Sequence, residues 1–176
     1  TLMPKEDNYQ LRLNDTLSID RKVWTTSEDH QIVFGDSLLR IKDFTISKRD
    51  QSIGIVSYDR ATDKDYTPIA VDFRNFKLSE VSALTNIEGF DFGGLLNGSV
   101  ILNDLAKNPH YLADLLVEEL TVNDSLIGEI EMTAEQTSER PVIDISLSLS
   151  GQGNEMTATG AYNIQTNEIE LDADIQ

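Results

Sequence analysis

The chain holds two imidazoles, His30 and His110, and no cysteine. A Ser-His nucleophile or a histidine metal site would need the fold to bring these rings beside a hydroxyl or carboxylate, because no shared motif surrounds them. The plainer reading is that both are exposed loop histidines. Carboxylates are abundant, and a pair of them could serve glycoside hydrolysis. Those in the best-patterned segments alternate with apolar residues, so they fall on a wet strand face where their ionisation is least disturbed. Asp63-Lys64-Asp65 and Asp172-Ala173-Asp174 offer hard oxygen ligands for Ca²⁺, yet neither has the ligand spacing of an EF-hand loop. Asn14, Asn97 and Asn123 each head an Asn-X-Ser/Thr triplet, which a turn-rich composition also produces without glycosylation. No phosphate loop, dinucleotide fingerprint, zinc-ligand spacing or nucleophile elbow occurs. The sequence therefore predicts no enzyme, no cofactor and no metal.

What it does carry is strand patterning. Ile143, Ile145, Leu147 and Leu149 alternate with Asp144, Ser146, Ser148 and Ser150. Met156, Ala158, Gly160, Tyr162 and Ile164 follow with the same spacing, as do Ile169, Leu171, Ala173 and Ile175. Side chains on a strand alternate between faces, so three antiparallel strands with one apolar and one acidic face are predicted. A two-residue loop at Thr166-Asn167 would set Ile164 opposite Ile169 and Tyr162 opposite Leu171. A loop from Ser150 to Glu155 would pair Leu149 with Met156. A one-residue slip would place apolar beside acidic residues, so the parity is well specified.

The totals suit a folded chain, with 26% charged and 39% hydrophobic residues. Fourteen basic against 31 acidic residues give a formal charge of -17. That balance excludes a duplex-binding footprint, and anionic headgroups would be repelled unless apolar surface made the contact. No run approaches the ~20 apolar residues of a membrane helix. The start at Thr1, without a signal-peptide pattern, reads as an excised segment whose anchor lies elsewhere.

Residues 1–10 are expected to be frayed, and 11–176 to form a single β-rich domain, with a subdivision possible near 60–68. Three tripeptides read as hairpin tips between short strands: Asn14-Asp15-Thr16, Gly35-Asp36-Ser37 and Asn123-Asp124-Ser125. Ser79 to Thr85 fits one short helix with Ser79 as N-cap, placed to cap a sheet edge or plug one end of an apolar cavity. Tyr111 to Leu120 fits either a helix or a strand.

Gly94-Leu95-Leu96-Asn97-Gly98, then Asn108-Pro109, then Val122 to Ile130, then Gly160-Ala161-Tyr162, resemble the TamB and AsmA-like envelope proteins. The likeness covers most of Val71 to Gln176 and rests on short turn-residue motifs. It implies an antiparallel, curved, taco-like or half-barrel sheet with an apolar concave face; a β-sandwich is the alternative from patterning alone. It also tips Tyr111–Leu120 toward strand.

The resemblance further implies a periplasmic segment of an inner-membrane-anchored protein of a Gram-negative bacterium. Such a segment would offer an apolar groove for phospholipid or other lipid acyl chains, or serve outer-membrane protein assembly with an Omp85-type partner. The residues expected to line the groove are Leu96, Val100 and Leu102; Leu126, Ile130 and Met132; Ile143, Ile145, Leu147 and Leu149; and Tyr162, Ile164, Ile169, Leu171 and Ile175. The alternative function is a structural or adhesive cell-surface β-domain. An isolated segment is expected to self-associate through its sheet edges.

Overall fold

The computed structural model describes residues 1–5, 8–35, 38–57, 68–80, 91–103, 110–136 and 141–175. Among the described residues, alternating apolar and polar residues, broken by Asn, Asp and Gly, build fifteen antiparallel strands in two sheets. The smaller sheet has the order β1 (Leu2–Lys5), β2 (Asn8–Leu11), β5 (Gln31–Gly35), β6 (Leu38–Lys42). The larger is one curved, open sheet of eleven strands, not a closed barrel. Its inner strands are β7 (Phe44–Lys48), β8 (Gln51–Ser57), β9 (Ile69–Lys77), β10 (Phe92–Asn103), β11 (His110–Val122), β12 (Ser125–Glu135), β13 (Val142–Gly151) and β14 (Asn154–Asn163). Beyond β14 lies the edge strand β15 (Glu168–Ile175), and beyond β7 lie β4 (Lys22–Thr26) and the other edge, β3 (Thr16–Ile19).

Within the segment 1–10, expected to be frayed, residues 2–5 and 8–10 instead pair in β1 and β2, with Leu2 opposite Leu11. Asn14-Asp15-Thr16 is not a hairpin tip, because β2 and β3 belong to different sheets. Three segments cross between the sheets there: β2 to β3, β4 to β5, and β6 to β7 through Asp43, at φ 48°. His30 stitches this seam. Its Nε2 accepts from the Leu13 N–H at 3.0 Å, which places the ring proton on Nδ1, facing the Ser27 carbonyl. Ser27 Oγ donates to the Asp43 carbonyl and accepts from Thr45 N, and Thr26 Oγ donates to the Asn14 carbonyl. His30 is therefore buried, 2% exposed, and not the exposed loop histidine expected. Its partners are backbone groups, which every residue has, so no sequence motif announces them. His110 is half-buried at the start of β11, opposite Asn103.

The hairpin at Asn123 forms as predicted, with Val122 opposite Ser125, and the strands flanking the other expected tip pair with Gly35 opposite Leu38, while Asp36 and Ser37 lie outside the described residues. Asn123 and Asp124 take φ of 49° and 63°, the left-handed pair that a tight hairpin turn needs. Tyr111–Leu120 is strand, within β11. Helical backbone occurs at 78–80, one residue ahead of the expected cap at Ser79; residues 81–85 of that expected helix lie outside the described residues, as does most of the 60–68 boundary.

At the C-terminal end Leu149 does face Met156, but the strands run on to Gly151 opposite Asn154, leaving a two-residue turn in place of the longer loop. The last hairpin is shifted by two residues from the expected register: Tyr162 faces Ile169 and Gly160 faces Leu171. Asn163 causes the shift. Its Oδ1 accepts from Gln165 N and Thr166 N, which closes a four-residue turn at 164–167. A shift of two keeps every side chain that remains in the strands on its predicted face, and leaves Ile164 in the turn.

Candidate functional site

Cross-strand partners share a face, so the pairing registers assign every side chain to one side of the large sheet. Four rows cross β10 to β15 on one side. One runs Leu96, Val117, Ile130, Leu149, Met156, Ile175, and the next runs Gly98, Leu115, Met132, Leu147, Ala158, Ala173. A third runs Val100, Ala113, Ala134, Ile145, Gly160, Leu171. The fourth holds Leu102 and Tyr111, then Ile143, Tyr162 and Ile169. The apolar side continues through Ile69, Val71 and Phe73 on β9, Ile53 and Ile55 on β8, and Phe44 and Ile46 on β7.

Thirteen of the fifteen residues expected to line a groove therefore do share one face. Two do not. Ile164 sits in the 164–167 turn and is half-buried. Leu126 lies opposite Thr121, because a bulge at Ile127 reverses the alternation, and it is left 47% exposed. A second bulge, at Glu119 with φ 52°, turns Leu120 toward the apolar side, where it is 7% exposed, while Leu112 stays opposite Glu135 among the acidic side chains. The expected set omitted Val117, Leu115, Met156 and Ala158. The first two fall in Tyr111–Leu120, where leucines occur on both faces and mask the period.

Glycine lets the strands approach where the sheet bends. At Gly98, φ is 116°, and an added Cβ would collide with the Asp114 carbonyl oxygen. Gly128, at φ 144°, stands against the Ser150 carbonyl in the same way.

The N-terminal end of this face is closed. Trp24 is 2% exposed and Phe76 7%, with ring centroids 6.0 Å apart, and Phe73 lies 6.1 Å from Phe76. Lys48 Nζ lies 5.3 Å from the Trp24 ring centroid. Glu80, in the helical residues after β9, bridges Lys22 at 2.7 Å and Lys48 at 2.8 Å. Burial pushes the Glu80 carboxyl upward, but hydrogen bonds from Lys22 and Lys48, with their charges, outweigh it and hold it at about 2. The bond to Glu80 in turn raises the Lys22 ammonium above its ordinary value, against a smaller opposing effect of burial.

The other end is open. Ile169, Leu171 and Ile175 are 65%, 62% and 75% exposed, and Leu96, Val100, Ile130, Met132, Ile145 and Leu147 are only half-buried. Among the described residues, β10–β15 make their extensive contacts with flanking strands of their own sheet.

The opposite face is polar. It carries an open furrow of about 1010 Å³ between two ladders of side chains, Asp172-Thr159-Ser146-Thr133-Asp114-Ser99 and Glu170-Ala161-Asp144-Glu135-Leu112. Five carboxylates and no Lys or Arg line it. Among the described residues, no group of three His, Cys, Asp or Glu could hold a metal ion; Asp63 and Asp65 lie outside them. The described helical backbone includes no helix long and apolar enough to cross a membrane. Scans against protein-family models, curated proteins and solved structures return no match.

Proposed function

We propose that the apolar face of β10–β15 holds lipid acyl chains, as a periplasmic segment of a TamB/AsmA-like protein anchored in the inner membrane of a Gram-negative bacterium. The observation that carries this reading is an extended apolar face whose described residues stay largely half-buried to exposed. The chain exposes 11753 Å², whereas a compact chain of this length exposes about 8,600 Å². A sheet open on one side adds to such an excess. Transfer of an acyl chain onto such a face gains about 0.8 kcal/mol per CH₂ group, so the rows of Leu, Ile, Val and Met suffice without a polar specificity group.

The polar furrow is a poor alternative cradle, since its carboxylates would face either the acyl chain or an anionic headgroup. The function needs no catalytic residue, and the chain is read as a non-enzyme. Phospholipid movement between membranes, or support of outer-membrane protein assembly with an Omp85-type partner, is the role such a face would serve. Organic extraction of the purified chain followed by mass spectrometry tests the reading. Near-stoichiometric phospholipid or fatty acid is expected, and a reduced yield from Leu147→Asp. A chain that purifies free of lipid and takes up none from vesicles would refute it.

A further inference from the structure

We infer that, when no acyl chain occupies it, the apolar face of β10–β15 is closed by a second copy of this chain packed face to face. The inference shares with the acyl-chain reading the premise that this face is open, and adds what covers it in water.

Size is the first argument. Six strands about 4.8 Å apart, crossed by four rows about 6.7 Å apart, give a face of roughly 29 by 27 Å, or about 800 Å² per copy. Two such faces make an interface of about 1,600 Å², the standard size of a specific protein–protein contact. Shape is the second. Two sheets of the same hand and twist pack aligned, about 30° apart, with side chains interdigitating, and a two-fold axis satisfies both copies with one surface.

Charge is the third argument, and it selects this arrangement over pairing of sheet edges. Glu170, Asp172 and Asp174 alternate with Ile169, Leu171 and Ala173 along β15. Face-to-face packing turns these carboxylates outward on both copies, as it does Glu129, Glu131 and Asp144. Antiparallel pairing of two β15 edges would instead set like charges beside each other. A chain of net charge -17 therefore associates through a surface from which its charges are excluded. Acyl chains and the second copy compete for the same side chains, so loading with lipid separates the pair.

Sedimentation velocity on the delipidated chain, from low to high micromolar concentration, tests this. Leu171 is already 62% exposed, so Leu171→Asp leaves folding intact while placing a charge on the interface. The expected result is a reversible dimer whose dissociation constant rises by about tenfold or more in Leu171→Asp and is unchanged in Asp172→Asn on the other face. A chain that is monomeric throughout overturns the inference, as does a dimer that Asp172→Asn tightens and Leu171→Asp leaves alone, since that is edge pairing. Titration with palmitate below its micelle threshold separates the two proposals. Dimer lost in step with bound palmitate supports both. Palmitate bound by an always monomeric chain overturns the second copy and leaves the acyl-chain reading standing. A dimer that persists with no palmitate bound supports the second copy and defeats the acyl-chain reading.

Discussion

The two ends of the large sheet begin from the same alternation and finish differently. Around β4, β7 and β9 the apolar side carries Trp24, Phe73 and Phe76, and residues 78–80 place Glu80 across it as a bridge between Lys22 and Lys48. Around β13 to β15 the same side carries Ile, Leu, Met, Ala and Tyr, half-buried on β13 and β14 apart from the buried Ala158, and exposed on β15. One end spends its aromatic residues on a closed core; the other keeps aliphatic rows with no described cover. Period-two patterning thus specifies which side is apolar, but not whether that side is packed over, as around Trp24 and Phe76, or left exposed, as on β15.

The comparison can be broken by mutation. Trp24→Ala should cost about 3–5 kcal/mol in denaturant unfolding, as large-to-small changes in a packed core do, whereas Leu171→Ala should cost less than about 0.5 kcal/mol. Equal costs would mean that the two ends are alike. At the seam between the sheets, His30→Ala removes the acceptor of the Leu13 N–H and a ring edge-on to Phe44, 5.5 Å between centroids. A loss of about 1–3 kcal/mol is expected, with hydrogen exchange rising first at the Leu13 amide. Unchanged protection of that amide would place the stitch elsewhere.

The closed end should also be the acid-sensitive one. The Glu80 carboxyl sits at about 2 in the folded chain against 4.5 ordinarily. A depressed value means the contribution is fully present above the unfolded value and is lost as pH falls from about 4.5 toward 2. Allowing for solvent around Lys22, whose side chain is 39% exposed, the effect is on the order of 1–2 kcal/mol. Unfolding free energy measured across that window should fall less in Glu80→Gln than in the parent chain. Parallel curves would show that the bridge contributes nothing.

Much of this was legible in the residues. The alternation in β13 to β15 fixed face and parity, and Leu149 does meet Met156. Register inside the last hairpin was not legible, because the Asn163 side chain closes the turn two residues earlier than Thr166-Asn167 suggests. Leu120 and Leu126 changed sides for a different reason. Bulges at Glu119 and Ile127 arise from how β11 and β12 fit each other, and neither strand's own pattern records that fit. His30 shows the limit most plainly: a ring buried by backbone partners up to seventeen residues away leaves no local signal. The exposure of Ile169, Leu171 and Ile175 belongs to the same class, since what packs on a face is a property of the whole assembly of strands.

Photolabelling with a diazirine-bearing fatty acid, with adducts mapped by mass spectrometry, tests the central claim most directly. If β10–β15 hold acyl chains on their apolar side, adducts fall on Val100, Met132, Leu147 and Tyr162 and spare Asp114, Ser146 and Thr159 across the sheet. Adducts concentrated along the polar furrow, or spread over both faces alike, would contradict it.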